Sequence, residues 1–123
     1  MFRVAIKLRN WQNAFLPPEE QGEDVACDAL VDTGAGELAL PADMIERLRL
    51  RPLDGVVIAK LADGSRQRCR TLGIVEVEVM GRTCQVRAIE LPRGTEPLLG
   101  AVPLEELDWH ISPREQRLLP NPK

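Results

Sequence analysis

Ala29-Leu30-Val31-Asp32-Thr33-Gly34-Ala35 is the stretch on which the fold turns, because an apolar strand runs without transition into an ionisable carboxylate and a turn. A carboxylate set against a buried strand costs free energy unless a hydrogen-bond partner or a changed protonation state compensates. Two readings of Asp32 follow. In one it opens an Asp-Thr-Gly turn, its side chain bonded to nearby backbone amides. In the other it is an acid placed for chemistry. The tripeptide alone favours the turn; its surroundings must decide.

Upstream, Val25 to Val31 is a strand whose end, Ala29-Leu30-Val31, is apolar enough for burial on both faces. Asn10 to Asp24, with Pro17-Pro18, Glu19-Glu20 and Gly22, reads as a long exposed connection. Before it, Phe2, Val4, Ile6 and Leu8 alternate with Arg3, Lys7 and Arg9, the period of a strand with one face on a core. Downstream, Leu38-Ala39-Leu40 forms a short strand, and Pro41 to about Leu50 a helix with Met44, Ile45 and Leu48 on one stripe.

Val56 to Leu61 and about Arg66 to Leu72 are the arms of a hairpin, with Ala62-Asp63-Gly64-Ser65 at its tip. Asp-Gly supplies the positive φ that a tight two-residue turn needs. A second alternating pair, Ile74 to Val79 and Cys84 to Ile89, is joined across Met80-Gly81-Arg82. Pro92 to Pro97 is a loop, followed by Leu98-Leu99-Gly100-Ala101, a short helix from about Pro103 to Leu107, and two last strands, Trp109 to Ile111 and Arg117 to Leu119. Short strands with regular turn signals, no repeat and no linker predict one all-β barrel or sandwich over residues 1–123, with two minor helices.

Composition excludes much chemistry. The chain of 123 residues carries a net charge of −3 and four aromatics, so it has neither the basic surface nor the stacking platforms that nucleic acid requires. No apolar run is long enough to span a membrane, and Met1 to Lys7 is too charged for an export signal. Cys27, Cys69 and Cys84 are odd in number and without a C-x-x-C pair, as expected of reduced thiols. Together these features predict a cytoplasmic protein. With His110 as the only histidine, neither a zinc site nor a cysteine–histidine pair has support, and no metal or cofactor is expected. Arg66, Arg68 and Arg70 share one strand face. They read either as a basic face that discourages edge pairing or as an attraction for an acidic segment.

The context of Asp32 resembles the aspartic proteases in their retropepsin form. Asp32-Thr33-Gly34-Ala35 follows an apolar strand, Ala62-Asp63-Gly64-Ser65 falls where that family places its flap, and Leu98-Leu99-Gly100-Ala101 resembles its apolar-apolar-Gly segment. The resemblance spans Val25 to Leu107 and is nearest to small stand-alone bacterial members. It implies a closed acid-protease barrel, with Asp32 catalytic and Thr33, Gly34 and Ala35 forming the active-site loop. Gly36, Ala62, Asp63 and Gly64 would contact substrate. Thr33 would bond across a two-fold axis, and Gly34 would let a backbone amide approach the carboxylates.

Peptide hydrolysis by this route needs two carboxyls sharing a proton around one water, an arrangement for which aspartic proteases are the standing example. One Asp-Thr-Gly is present, so the partner must be Asp32 of an identical subunit. The expectation is therefore a homodimeric endopeptidase that holds a peptide or protein substrate extended across the axis. A second reading stays open: a dimer that keeps barrel and groove but serves as a peptide-binding or scaffolding module without cleavage.

Overall fold

Alternation along the first strand carries directly into three dimensions: Ile6, Leu8 and Asn10 turn inward, while Lys7 and Arg9 face solvent. The computed structural model describes residues 1–60 and 64–121. Its strands are β1 (Arg3–Asn10), β2 (Val25–Val31), β3 (Leu38–Pro41), β4 (Arg51–Lys60), β5 (Arg66–Val79), β6 (Arg82–Leu91), β7 (Leu98–Leu99), β8 (Trp109–Ser112) and β9 (Arg117–Pro120). Two short helices, α1 (Ala42–Leu48) and α2 (Ala101–Glu106), join them. No described helix is long and apolar enough to cross a membrane.

The sheet runs β1-β2-β7-β3-β6-β5-β4 and closes on itself because β1 also pairs with β5. Residues 3–8 of β1 pair antiparallel with β2, and Lys7 to Asn10 pair with Glu78 to Val75 of β5. The result is a six-stranded barrel of β1, β2, β7, β3, β6 and β5, with β4 attached outside as an edge. Inside, Ile6, Leu8, Val31, Leu38, Leu40, Leu72, Val75, Val77, Val79 and Leu99 are all but inaccessible. Ile45 and Leu48 of α1 and Leu104 of α2 belong to the same core. Burying one such side chain is worth about 1.5–3 kcal/mol, which explains why seven- and six-residue helices persist: packing holds them.

Several boundaries differ from the sequence expectation. The hairpin arm begins at Arg51 rather than Val56, and the arms expected at Arg66–Leu72 and Ile74–Val79 are one strand running through Gly73. Three partners in succession (β4, β6 and β1) keep that long strand extended. The turn after Val79 has two residues, not three: Met80 and Gly81 both adopt positive φ and Arg82 already pairs with Val79. Helix α2 begins at Ala101, ahead of Pro103.

Asn10 is the largest correction. It is fully buried in β1, not part of an exposed connection. Its Nδ2 donates to the carbonyls of Leu48 and Arg49, and its Oδ1 accepts from the Gln12 amide. The carbonyls at the end of α1, which a helix leaves without partners, are thereby satisfied. The following segment is braced too: Asn13 and Gly22 exchange two hydrogen bonds, and the Glu23 amide donates to the Arg47 carbonyl.

The β8–β9 hairpin is clamped to the barrel by Arg82. Its guanidinium lies 4.1 Å over the Trp109 ring and donates to the carbonyls of Leu107 and Asp108. Trp109 Nε1 in turn donates to the Val79 carbonyl at 3.2 Å.

Candidate active site

Strand β2 ends where three neighbours fix its backbone. Val31 donates to the Phe2 carbonyl, Leu30 to Pro97, and Asp32 to Leu99 at 3.1 Å. Asp32 is thus carried on the register between β2 and β7 rather than on a free loop. It caps a single 3-10 turn, Thr33–Ala35: its Oδ1 accepts the Gly34 amide at 3.0 Å, and its carbonyl accepts the Ala35 amide. The turn reading of the motif is therefore correct as local structure. It does not compete with an acid role, because the same bond aims the carboxyl.

Two glycines give the loop its shape. Gly36, at φ +67°, reverses the chain in a conformation that side-chain-bearing residues rarely adopt. Gly100 passes so close beneath that a Cβ there would stand 2.3 Å from the Glu37 carbonyl oxygen. From Gly100 the chain enters α2, whose Val102 amide donates to the Gly36 carbonyl at 2.7 Å. The segment Leu98-Leu99-Gly100 does thread beside the Asp32 loop, paired on one side with β2 and on the other with β3.

A contact absent from the sequence reading braces the far end of the loop. Arg87 of β6 holds Glu37 through Nη2 at 2.7 Å, with Nε also in range. Fifty residues separate the two, so no local pattern could have revealed it.

The burial expected of Asp32 is not what the chain adopts: Asp32 is half-buried, Thr33 and Gly34 are exposed, and Ala35 and Gly36 are half-buried. The loop is presented at the barrel surface. Concavities of about 310–650 Å³ lie along β1 and the segment after it, and Asp32 lines none of them. Of the expected flap residues, Ala62 and Asp63 fall outside the described residues. Gly64 has the anticipated positive φ (+85°), and no hydrogen bond joins it to the Asp32 loop among the described residues.

The thiols are unsuited to nucleophilic work. All three are unpaired, and burial raises each above its ordinary value, Cys84 to about 11.

Residues 21–106 match the family model of the gag-polyprotein putative aspartyl proteases. The chain belongs to this family. No curated protein matches it significantly. The six-stranded barrel with two short helices fits the retropepsin-like fold that the motifs implied. The matched span of this aspartyl protease family member runs from Gln21, just before β2, to Glu106, the last residue of α2. It holds the Asp32 loop, the β4–β5 hairpin and the Leu98-Leu99-Gly100 thread, whereas β1 and the β8–β9 hairpin lie outside it.

Proposed function

We propose that the chain is an aspartic endopeptidase whose active unit is a homodimer, with water activated between the two Asp32 carboxyls. The observation that carries this is a single Asp-Thr-Gly loop, held rigidly by β2, β7 and α2 yet exposed at Thr33 and Gly34. Stiff support and an open face are what an incomplete site needs if a second copy is to finish it. One carboxylate accepts the proton of the water as it attacks the peptide carbonyl; the other, protonated, polarises that carbonyl oxygen. Thr33 bonds across the axis. The Gly34 amide, already on Oδ1, keeps each carboxyl aimed. Substrate lies extended between the loops (Gly34, Ala35, Gly36) and the hairpin tips (Ala62, Asp63, Gly64).

Mixing wild type with Asp32→Asn tests dimer and chemistry together. Activity should fall as the square of the wild-type fraction, because a mixed dimer holds one working carboxyl. A linear fall would overturn the shared site. A statine-type transition-state analogue should raise the melting temperature of the wild type and not of Asp32→Asn. Stabilisation by ordinary extended peptides, with no cleavage in either protein, would instead establish a binding module. Because one carboxyl must stay protonated, the rate should decline as pH rises past the upper apparent value of the pair.

A further inference from the structure

The outer face of the β4–β5 hairpin combines two features that proteins usually keep apart. Val56 and Ile58 on the edge strand are 51% and 56% exposed. Across the ladder, Val56 faces Arg70, Ile58 faces Arg68 and Lys60 faces Arg66, so these six side chains share one surface. The inner face is separate: Val57 and Ala59 pack with Cys69 on Ala39, Ile89 and Leu91.

Charge on this surface is unbalanced. Arg70 is held bidentately by Glu90, at 2.9 and 2.8 Å. Lys60, Arg66 and Arg68 have no carboxylate partner among the described residues. Elsewhere the described arginines are almost all engaged. Arg3, Arg9, Arg47, Arg87, Arg93 and Arg117 meet carboxylates and Arg49 and Arg82 meet carbonyls, which leaves Arg51, at the start of β4, and Arg114. Lys60 directly opposite Arg66 is a like-charge pair, which costs stability. In a chain of net charge −3, three cations without a carboxylate partner among the described residues stand together on one hairpin face.

Edge guarding accounts for only part of this. Arg51, Pro52, Asp54, Lys60 and a register shift between Pro52 and Val56 blunt the edge, yet Val56 and Ile58 stand exposed on it and two of the three cations lie one strand further in. Strand β4 is paired only with β5, so its other side offers backbone donors and acceptors that a polypeptide can meet and a lipid or nucleic acid cannot. The face has no aromatic platform for bases.

We propose that this face docks an extended acidic segment of a partner protein, added as a strand along the open edge of β4. Aliphatic side chains of the segment rest on Val56 and Ile58, and its carboxylates reach toward Lys60, Arg66 and Arg68. An added strand lies about 10 Å from β5, two strand spacings, which a glutamate and an arginine can bridge together.

The test uses the whole chain carrying Asp32→Asn, so that binding is read whether or not the wild type cleaves peptides. The probe is a short fluorescent peptide alternating Glu with Val and Ile. Its anisotropy should report saturable binding that weakens with salt, and hydrogen exchange should slow at the β4 amides. Arg66→Glu combined with Arg68→Glu should weaken binding at least about tenfold with the melting temperature preserved. That variant should bind the counterpart peptide with Lys in place of Glu. Equal binding by variant and parent, absence of protection in β4, or preference for an RNA oligonucleotide or anionic vesicles over the peptide would each overturn the proposal.

Discussion

The Asp32 loop and the segment from Trp11 to Asp24 are built with the same device, and under the proposed function they serve opposite ends. Each depends on a glycine pressed against another backbone: a Cβ on Gly100 would stand 2.3 Å from the Glu37 carbonyl oxygen, and one on Gly22 would stand 2.0 Å from that of Leu48. Each is anchored by a short polar side chain at a strand end. Asn10, closing β1, is buried with its amide fully used. Asp32, following β2, is half-buried, and its carboxyl accepts one amide, that of Gly34, on Oδ1. A polar group whose valences are all satisfied stabilises; one left partly satisfied on a rigid support is available for chemistry.

The largest effect that would break this contrast is on rate. Asp32→Asn should lower peptidase activity by about 10²–10⁴-fold while leaving the thermal melt nearly unchanged, since the amide oxygen can still accept the Gly34 hydrogen bond. Asn10→Ala should do the reverse. It strands the Leu48 and Arg49 carbonyls and the Gln12 amide, and should cost about 1–3 kcal/mol in denaturant unfolding, with activity per folded molecule retained. A melt that moves more for Asp32→Asn than for Asn10→Ala would dissolve the distinction.

The glycines sharpen it. Gly100→Ala and Gly22→Ala should each cost about 1–3 kcal/mol, because backbone must shift to admit the methyl group. They should part in kinetics: the first displaces Glu37 and with it the Asp32 loop, lowering kcat, whereas the second leaves kcat alone. A smaller effect is expected of Arg87→Met, which frees Glu37. Stability should change by about 0.2–1 kcal/mol, and the loss should appear in kcat more than in the melt.

The smallest effect lies outside both loops and serves as a control. Hydrogen bonding to Arg70 holds the Glu90 carboxyl below its usual range. A folded value lying below the unfolded one means that the pair stabilises above the ordinary carboxylate range, and that this contribution is lost as pH falls through the depressed value. Glu90→Gln should therefore remove at most about 0.2–1 kcal/mol at neutral pH and nothing at strongly acid pH, as acid-titrated melts would show.

Much of this was legible in the residues. Alternation marked β1 and the β5–β6 pair, and the ordered trio of Asp-Thr-Gly, flap and Leu-Leu-Gly pointed to the family that the match over residues 21–106 supports. Even the role of Asn10 had a trace in the sequence: it continues the inward parity of Ile6 and Leu8, so its polarity at that phase required a buried partner. The Arg87–Glu37 brace left no trace, since β6 and the residue after Gly36 meet only when β3 pairs with β6. The exposure of Asp32 was misjudged for a related reason. A run of apolar residues tells that a strand is buried, not how far past its end the burial extends.

Local chemistry therefore determined which segments are extended, where glycine and proline turn the chain, and which acid stands at the end of β2. Those properties depend on side-chain period and backbone sterics within a few residues. Tertiary structure alone decided that β1 would close the ring onto β5 and that Gly100 would lie beneath Gly36. Each of these joins residues far apart in the chain, and strand pairing and close packing are the only forces that bring such residues together.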